Sequence, residues 1–207
     1  MIAFFAGWAI LAIGDRVRPP RAVGARLARP FDPDRDHFRG RVGAVLEIVE
    51  YGDFECSFCS RATGSIDAVR ERFGDDVRWI FRHFPLDAPH PRAQEAAQAA
   101  EAAALQGRFF EMAIVLFANQ DRLEVADLCR YAVELGLDPD RFAEDFRSPH
   151  VMHRIKDDRM DAEVMDLHGT PTFFVNGRRH IGPYDSATLI RVLEASEPPT
   201  SVAGGSI

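Results

Sequence analysis

Residues 44–64 read AVLEIVEYGDFECSFCSRATG, and the fold turns on how this stretch divides. Ala44 to Tyr51 is apolar and β-branched and lies between Gly43 and Gly52, the pattern of a strand buried on both faces. GDFEC ends that strand. A helix is expected to start near Cys56 and run to Gly74, with Ile66, Val69, Arg70 and Phe73 at helical spacing. Two cysteines, Cys56 and Cys59, separated by Ser57 and Phe58, therefore stand where strand gives way to helix. Such a pair is a redox couple, half of a metal site, or two neighbouring buried thiols, and the motif by itself does not choose.

Working outward, Val77 to Phe84 alternates and is aromatic, which predicts a second strand and hence a right-handed βαβ unit with a parallel pair. Pro85, Pro89 and Pro91 break the pattern, and some seventy helical residues follow, beginning with the alanine-rich RAQEAAQAAEAAALQ. GTPTFFVNGRRHI then predicts a strand, a tight Asn176-Gly177 turn and a return strand, and SATLIRVLEA a last helix with Ser186 as its N-cap. The expected class is α/β: β-α-β, a helical block, then α-β-β-α, with helices on both faces of the sheet. Residues 41–87 and 150–195 would form the sheet domain, 88–149 a helical insertion, and 196–207 a disordered tail.

The N-terminus has a different character. MIAFFAGWAILAI (residues 1–13) carries no charge, and Arg16, Arg18, Arg21, Arg26 and Arg29 follow with a single acid, Asp15. A helix of that length spans about 20 Å, short of the roughly 30 Å of a bilayer core. No basic residue precedes the apolar run, which argues against a secretory signal, and it has no polar face, which argues against an amphipathic helix. It is read as the end of a transmembrane helix and a possible membrane attachment, with residues 14–40 as an Arg/Pro linker and the arginines marking the cytoplasmic side. A net charge of −7 argues against nucleic acid as a partner. Three cysteines rule out a closed four-cysteine zinc site within one chain.

The chemistry follows from placement. A sulfur at a helix start meets unpaired N–H groups and the positive end of the dipole, so the Cys56 thiol should ionise more readily than a free one. Cys59, one turn along the same face, is placed to attack a mixed disulfide at Cys56. Ser57 and Phe58 add neither a proline nor an imidazolium, and Glu55 should push the thiol back up, so a moderate lowering is expected. Pro171, at the entry to an apparently central strand, fits a cis Thr170–Pro171 bond or a strand start. If that loop faces Cys56, Thr170 can pair with an extended substrate segment. Glu50, inside an apolar strand, is either a buried acid able to relay protons to Cys59 or an edge glutamate in water. Phe54 and Phe58 are candidates for an apolar lip, and Cys129 for a core thiol. His83 and His90 are the histidines a zinc half-site would need.

AVLEIVEYGDFECSFC, RHFPLDAPHPRAQEAAQAAEAAALQGRFFEM and GTPTFFVNGRR, in this order, resemble the DsbA-like branch of the thioredoxin superfamily over roughly residues 37–195. The resemblance implies a thioredoxin fold interrupted by a helical domain and dithiol–disulfide exchange with protein cysteines, without metal or organic cofactor. Carried over, Cys56 attacks, Cys59 resolves, Pro171 is the cis-proline with Thr170 before it, and Glu50 is the buried acid. Ser57 and Phe58 depart from the spacers of both the strong oxidants and thioredoxin, so redox direction stays open, as does the regenerating partner. A weaker resemblance, carried by the apolar end, the Arg/Pro stretch and RPFDPDRDHFRG, is to NhaA-type sodium/proton antiporters bearing such a domain at their C-terminus. It implies membrane association. The family resemblance favours the oxidising cell envelope, whereas the arginines favour the cytoplasmic face. A redox-sensing domain that turns over no substrate is the alternative to an enzyme.

Overall fold

The computed structural model describes residues 26–196. The apolar segment 1–13, the linker up to residue 25 and the tail from 197 lie outside the described residues. The element order is β1 (His37–Arg39), β2 (Leu46–Gly52), α1 (Ser57–Phe73), β3 (Val77–His83), α2 (Ala93–Ala104), α3 (Phe109–Ala118), α4 (Val125–Glu134), α5 (Pro139–Phe146), α6 (Pro149–Val164), β4 (Thr172–Val175), β5 (Arg178–Arg179) and α7 (Ser186–Ala195). The sheet order is β1-β3-β2-β4-β5. β2 and β3 are parallel, as a helical crossover requires, and the other three pairings are antiparallel.

Period-two alternation assigns the faces. Ile48, Trp79, Phe81, Phe173 and Val175 join α1, α7 and the helical insertion in the large core. Val49, Tyr51, Ile80 and Phe174 point the other way, toward α6 and the residues after it. Asn176 and Gly177 both take positive φ (46° and 75°), the conformation a two-residue hairpin needs. Gly52 is set by crowding: a Cβ there would sit 2.4 Å from Cε2 of Phe81.

Two expectations change. Residues 26–40, read from composition as linker, are folded onto the sheet domain. His37–Arg39 adds an antiparallel edge strand to β3, and Arg29 and Asp36 enter a buried ion network with Arg82 and Asp158. The arginines read as marking the cytoplasmic side include one, Arg29, that neutralises buried carboxylates. The last helix is capped by Asp185, whose carboxylate accepts from the Thr188 N–H, one residue before the expected Ser186. Among the described residues no helix is long and apolar enough to cross a membrane.

Candidate active site

Asp53 shapes the turn between β2 and α1. Its Oδ1 accepts from the Glu55 N–H at 2.8 Å, and its Oδ2 accepts from the Leu86 N–H and pairs with His90 Nδ1 at 2.7 Å. Gln120, following α3, donates from Nε2 to the carbonyls of Phe54 and Cys56 at 2.8 and 2.9 Å. Cys56 is thereby held at the N-cap of α1 in extended conformation, φ −73° and ψ 117°. Both site cysteines are free thiols and buried. The Thr170–Pro171 bond is cis, and as a thiol Cys56 donates from Sγ to the Thr170 carbonyl at 3.3 Å. The structure thus brings the two cysteines and the Thr170-Pro171 loop together from opposite ends of the chain. Ser57 and Phe58 are exposed on the same turn, with the Arg61 guanidinium over the Phe58 ring at 4.4 Å.

The Cys59 thiol hydrogen-bonds to the Cys56 sulfur and does most to lower its pKa, to about 5. Burial works against this, and the Thr170 side chain and the N–H groups of Cys59 and Phe58 assist it. The drop is larger than the moderate one expected. Part of the reason is Glu55, which does not face the sulfur; its Oε2 accepts from the Arg92 N–H at 2.6 Å. Cys59 is pushed well above a free thiol by burial, by its bond to Cys56 and by the charge of Glu50.

Glu50 is buried and not an edge residue in water. Its Oε2 accepts from the indole Nε1–H of Trp79 at 3.1 Å. Trp79 opposes Ile48, so it is the diagonal neighbour of Glu50 on the same sheet face. Glu47, three residues earlier, points to the other face and meets the Arg78 guanidinium at 2.7 Å. Burial pushes the Glu50 pKa up to about 8, opposed by the indole bond and raised further by the Cys56 charge.

Other readings are redistributed. Phe54 is core, stacked on Phe81 with centroids 5.0 Å apart, which leaves Phe58 as the exposed aromatic of the turn. Cys129 is exposed and not a core thiol, because the buried stripe of α4 is Leu128, Tyr131 and Ala132. His83 and His90 do not converge on the cysteines; they pair with Glu101 and Asp53. Trp79 and Gln120 escaped the sequence reading, since neither lies in a motif and each reaches its partner only across the fold. Asp53 carried a signal, an Asp just ahead of a helix start.

A family profile described as Thioredoxin matches residues 33–195. The chain is 59% identical over 197 residues to a protein of Mycolicibacterium gilvum named Na(+)/H(+) antiporter NhaA 1, with 94% of this chain and 32% of that protein covered. It is 49% identical over 174 residues to an antiporter NhaA of Herminiimonas arsenicoxydans, with 84% and 28% covered. The chain thus spans about a third of the length of these curated relatives. Among solved structures it is similar to a thioredoxin-like oxidoreductase from Silicibacter pomeroyi, with TM-score 0.71, 25% identity and 79% and 92% of the two chains covered. It shares the fold of oxidised BdbD from Bacillus subtilis, with TM-score 0.71, 21% identity and 84% and 96% covered.

Proposed function

The chain belongs to the thioredoxin family, and from that premise we propose that it exchanges disulfides with protein cysteines through Cys56 and Cys59, in the manner of DsbA-like oxidoreductases. The observation that carries the reading is geometric: Cys56 sits at the N-cap of α1 with its sulfur 3.3 Å from the carbonyl of Thr170, ahead of the cis Pro171, and Cys59 is buried one turn further on, a setting that lowers the Cys56 pKa to about 5 and raises that of Cys59. A substrate thiolate attacks Cys56 Sγ of the Cys56–Cys59 disulfide. The S–S electron pair leaves on Cys59, which takes the proton of neutral Glu50. A second substrate thiolate then attacks the substrate sulfur of the mixed disulfide and displaces Cys56 as a stable thiolate. The substrate dithiol is oxidised and the enzyme disulfide reduced. Run backward, the Cys56 thiolate attacks a substrate disulfide, and Cys59, deprotonated by Glu50, resolves the intermediate. Thr170, Pro171, Ser57 and Phe58 line the approach to Cys56 and are the substrate-contacting residues of this reading.

A thiolate stabilised in the reduced form favours the oxidising direction. Cys56 has a folded pKa depressed from 9 to about 5, so its stabilisation of the reduced protein is full above pH 9. It declines as pH falls and is gone below about 5. The ultraviolet absorbance of the thiolate should therefore titrate with a midpoint near pH 5 and vanish in Cys56→Ser; a midpoint at or above that of a free thiol rejects the reading.

Glu50→Gln keeps the acceptor for Trp79 but removes the proton carrier. Release of a preformed mixed disulfide through Cys59 should slow by roughly a hundredfold near neutral pH. The first attack by Cys56 should keep its rate. Equal slowing of both steps argues for a packing role of Glu50 instead.

The names of the curated relatives favour a second reading, a redox-sensing domain on a membrane antiporter whose cysteines change state without turnover. Either way we place the domain at a membrane surface. Oxidation of a reduced, unfolded protein under multiple-turnover conditions separates the two: an enzyme turns over repeatedly, a sensor stops after one equivalent.

A further inference from the structure

We propose that His37, His83 and Glu101 form a binding site for one transition-metal dication of the zinc type, clamping the edge strand β1 and the helical insertion to β3. The site stands apart from the cysteine pair and does not rest on the redox reading.

Sheet register builds it. His37 opposes Phe81 across the β1–β3 ladder, so His83, two residues further along β3, is its diagonal neighbour on the same face. Glu101, on α2, reaches down to both. Its Oε1 lies 2.8 Å from His37 Nε2 and 2.7 Å from His83 Nε2, and all three ligand atoms lie within 4.8 Å of one another. Two imidazole nitrogens aimed at one carboxylate oxygen need something to join each pair. Two N–H protons do this, or a single cation does. Two imidazoles and a carboxylate are a donor set suited to zinc and its neighbours rather than to calcium or magnesium.

The rings are held in place. His37 stacks on Phe109 with centroids 3.6 Å apart, and His83 is bounded by Phe54, Phe81 and Phe109. Tetrahedral zinc ligands stand roughly 3.3 Å apart, so His37 and the Glu101 carboxylate must draw back from their present contacts by about half an ångström to admit the ion, while His83 stays enclosed by its rings. His37 has room for this, because it sits on an edge strand and lines a cavity of about 260 Å³ shared with Asp36, Phe109 and Glu111. That cavity borders the site on the His37 side, the side from which an ion would enter. Arg154, from α6, faces Glu101 at 3.9 Å and opposes a second cation, but its charge is engaged by Asp158 at 2.6 Å.

The test removes competing thiols. The untagged chain with Cys56→Ser, Cys59→Ala and Cys129→Ser, its fold checked by circular dichroism, is titrated with Zn²⁺ and with Co²⁺ by calorimetry and visible absorption. One equivalent should bind, the cobalt form should show visible bands of nitrogen and oxygen ligation, and zinc should raise the melting temperature. His37→Gln and Glu101→Gln should each weaken binding at least about tenfold. Each variant is compared with its own metal-free form: zinc should raise the melting temperature of the parent and leave that of His37→Gln where it was. No stoichiometric binding, or binding that both substitutions leave intact, overturns the proposal.

Discussion

Cys56→Ser should bring oxidation of a reduced, unfolded protein down to the uncatalysed rate, a fall of roughly a thousandfold or more, with the fold kept and the melting temperature of the reduced chain lowered near neutral pH, where the stabilising thiolate is lost. Serine fills the same position at the helix start. Its hydroxyl does not ionise near neutral pH, however, and forms no disulfide. Cys59→Ala should behave differently. It removes the resolving thiol and the hydrogen bond that does most to stabilise the Cys56 thiolate, so the pKa should climb back from about 5 and mixed disulfides should accumulate. Stopped-flow and quenched mass measurements distinguish the two. If Cys56→Ser retains multiple turnovers, the exchange does not pass through this sulfur and the proposed function fails.

Asp36→Ala should have the largest effect on stability, about 3–5 kcal/mol, because it leaves a buried guanidinium without its carboxylate. Arg82 is fully buried on the face of β3 opposite His83. It donates to both Asp36 oxygens at 2.9 Å, to the carbonyls of Arg29 and Pro30, and to the Tyr51 hydroxyl at 3.2 Å. Asp36 also binds Arg29 Nη1 at 3.1 Å, and Asp158 holds Arg29 from α6 at 2.7 Å. At roughly 2–4 °C per kcal/mol for a chain of this size, the melting temperature should fall by about 10 °C. The double variant Asp36→Ala/Arg82→Met should recover much of that loss, since removing both charges ends the desolvation problem. Thermal unfolding of the single and double variants checks this. A loss below about 1 kcal/mol for Asp36→Ala would mean that residues 26–40 are only loosely attached to the sheet.

The strand–turn–helix around Cys56, the second parallel strand, the hairpin at Asn176-Gly177 and the Thr170-Pro171 loop were legible in the sequence. Each depends on hydrophobic period or turn chemistry within a few residues, and local rules decide such features. The assembly of Cys56, Cys59 and the proline loop was legible only through the order of the three quoted segments, which a family resemblance supplied.

What the tertiary structure alone decided are the polar pairings between distant positions. Composition presented residues 26–40 as linker, because a run of Arg, Pro and Asp is the same string whether solvated or paired in a core. Sheet register made β1 of His37–Arg39 and turned Asp36 toward Arg82. Glu47 and Glu50 look alike in AVLEIVEY, yet strand alternation sends one to a guanidinium and the other to an indole N–H. Cys129 lies one position off the buried stripe of α4, and that offset alone exposes it. Sequence sets the hydrophobic period and thereby the elements. Which buried charge finds which partner depends on strand register and on the helix packed above, and both exist only once the chain has closed.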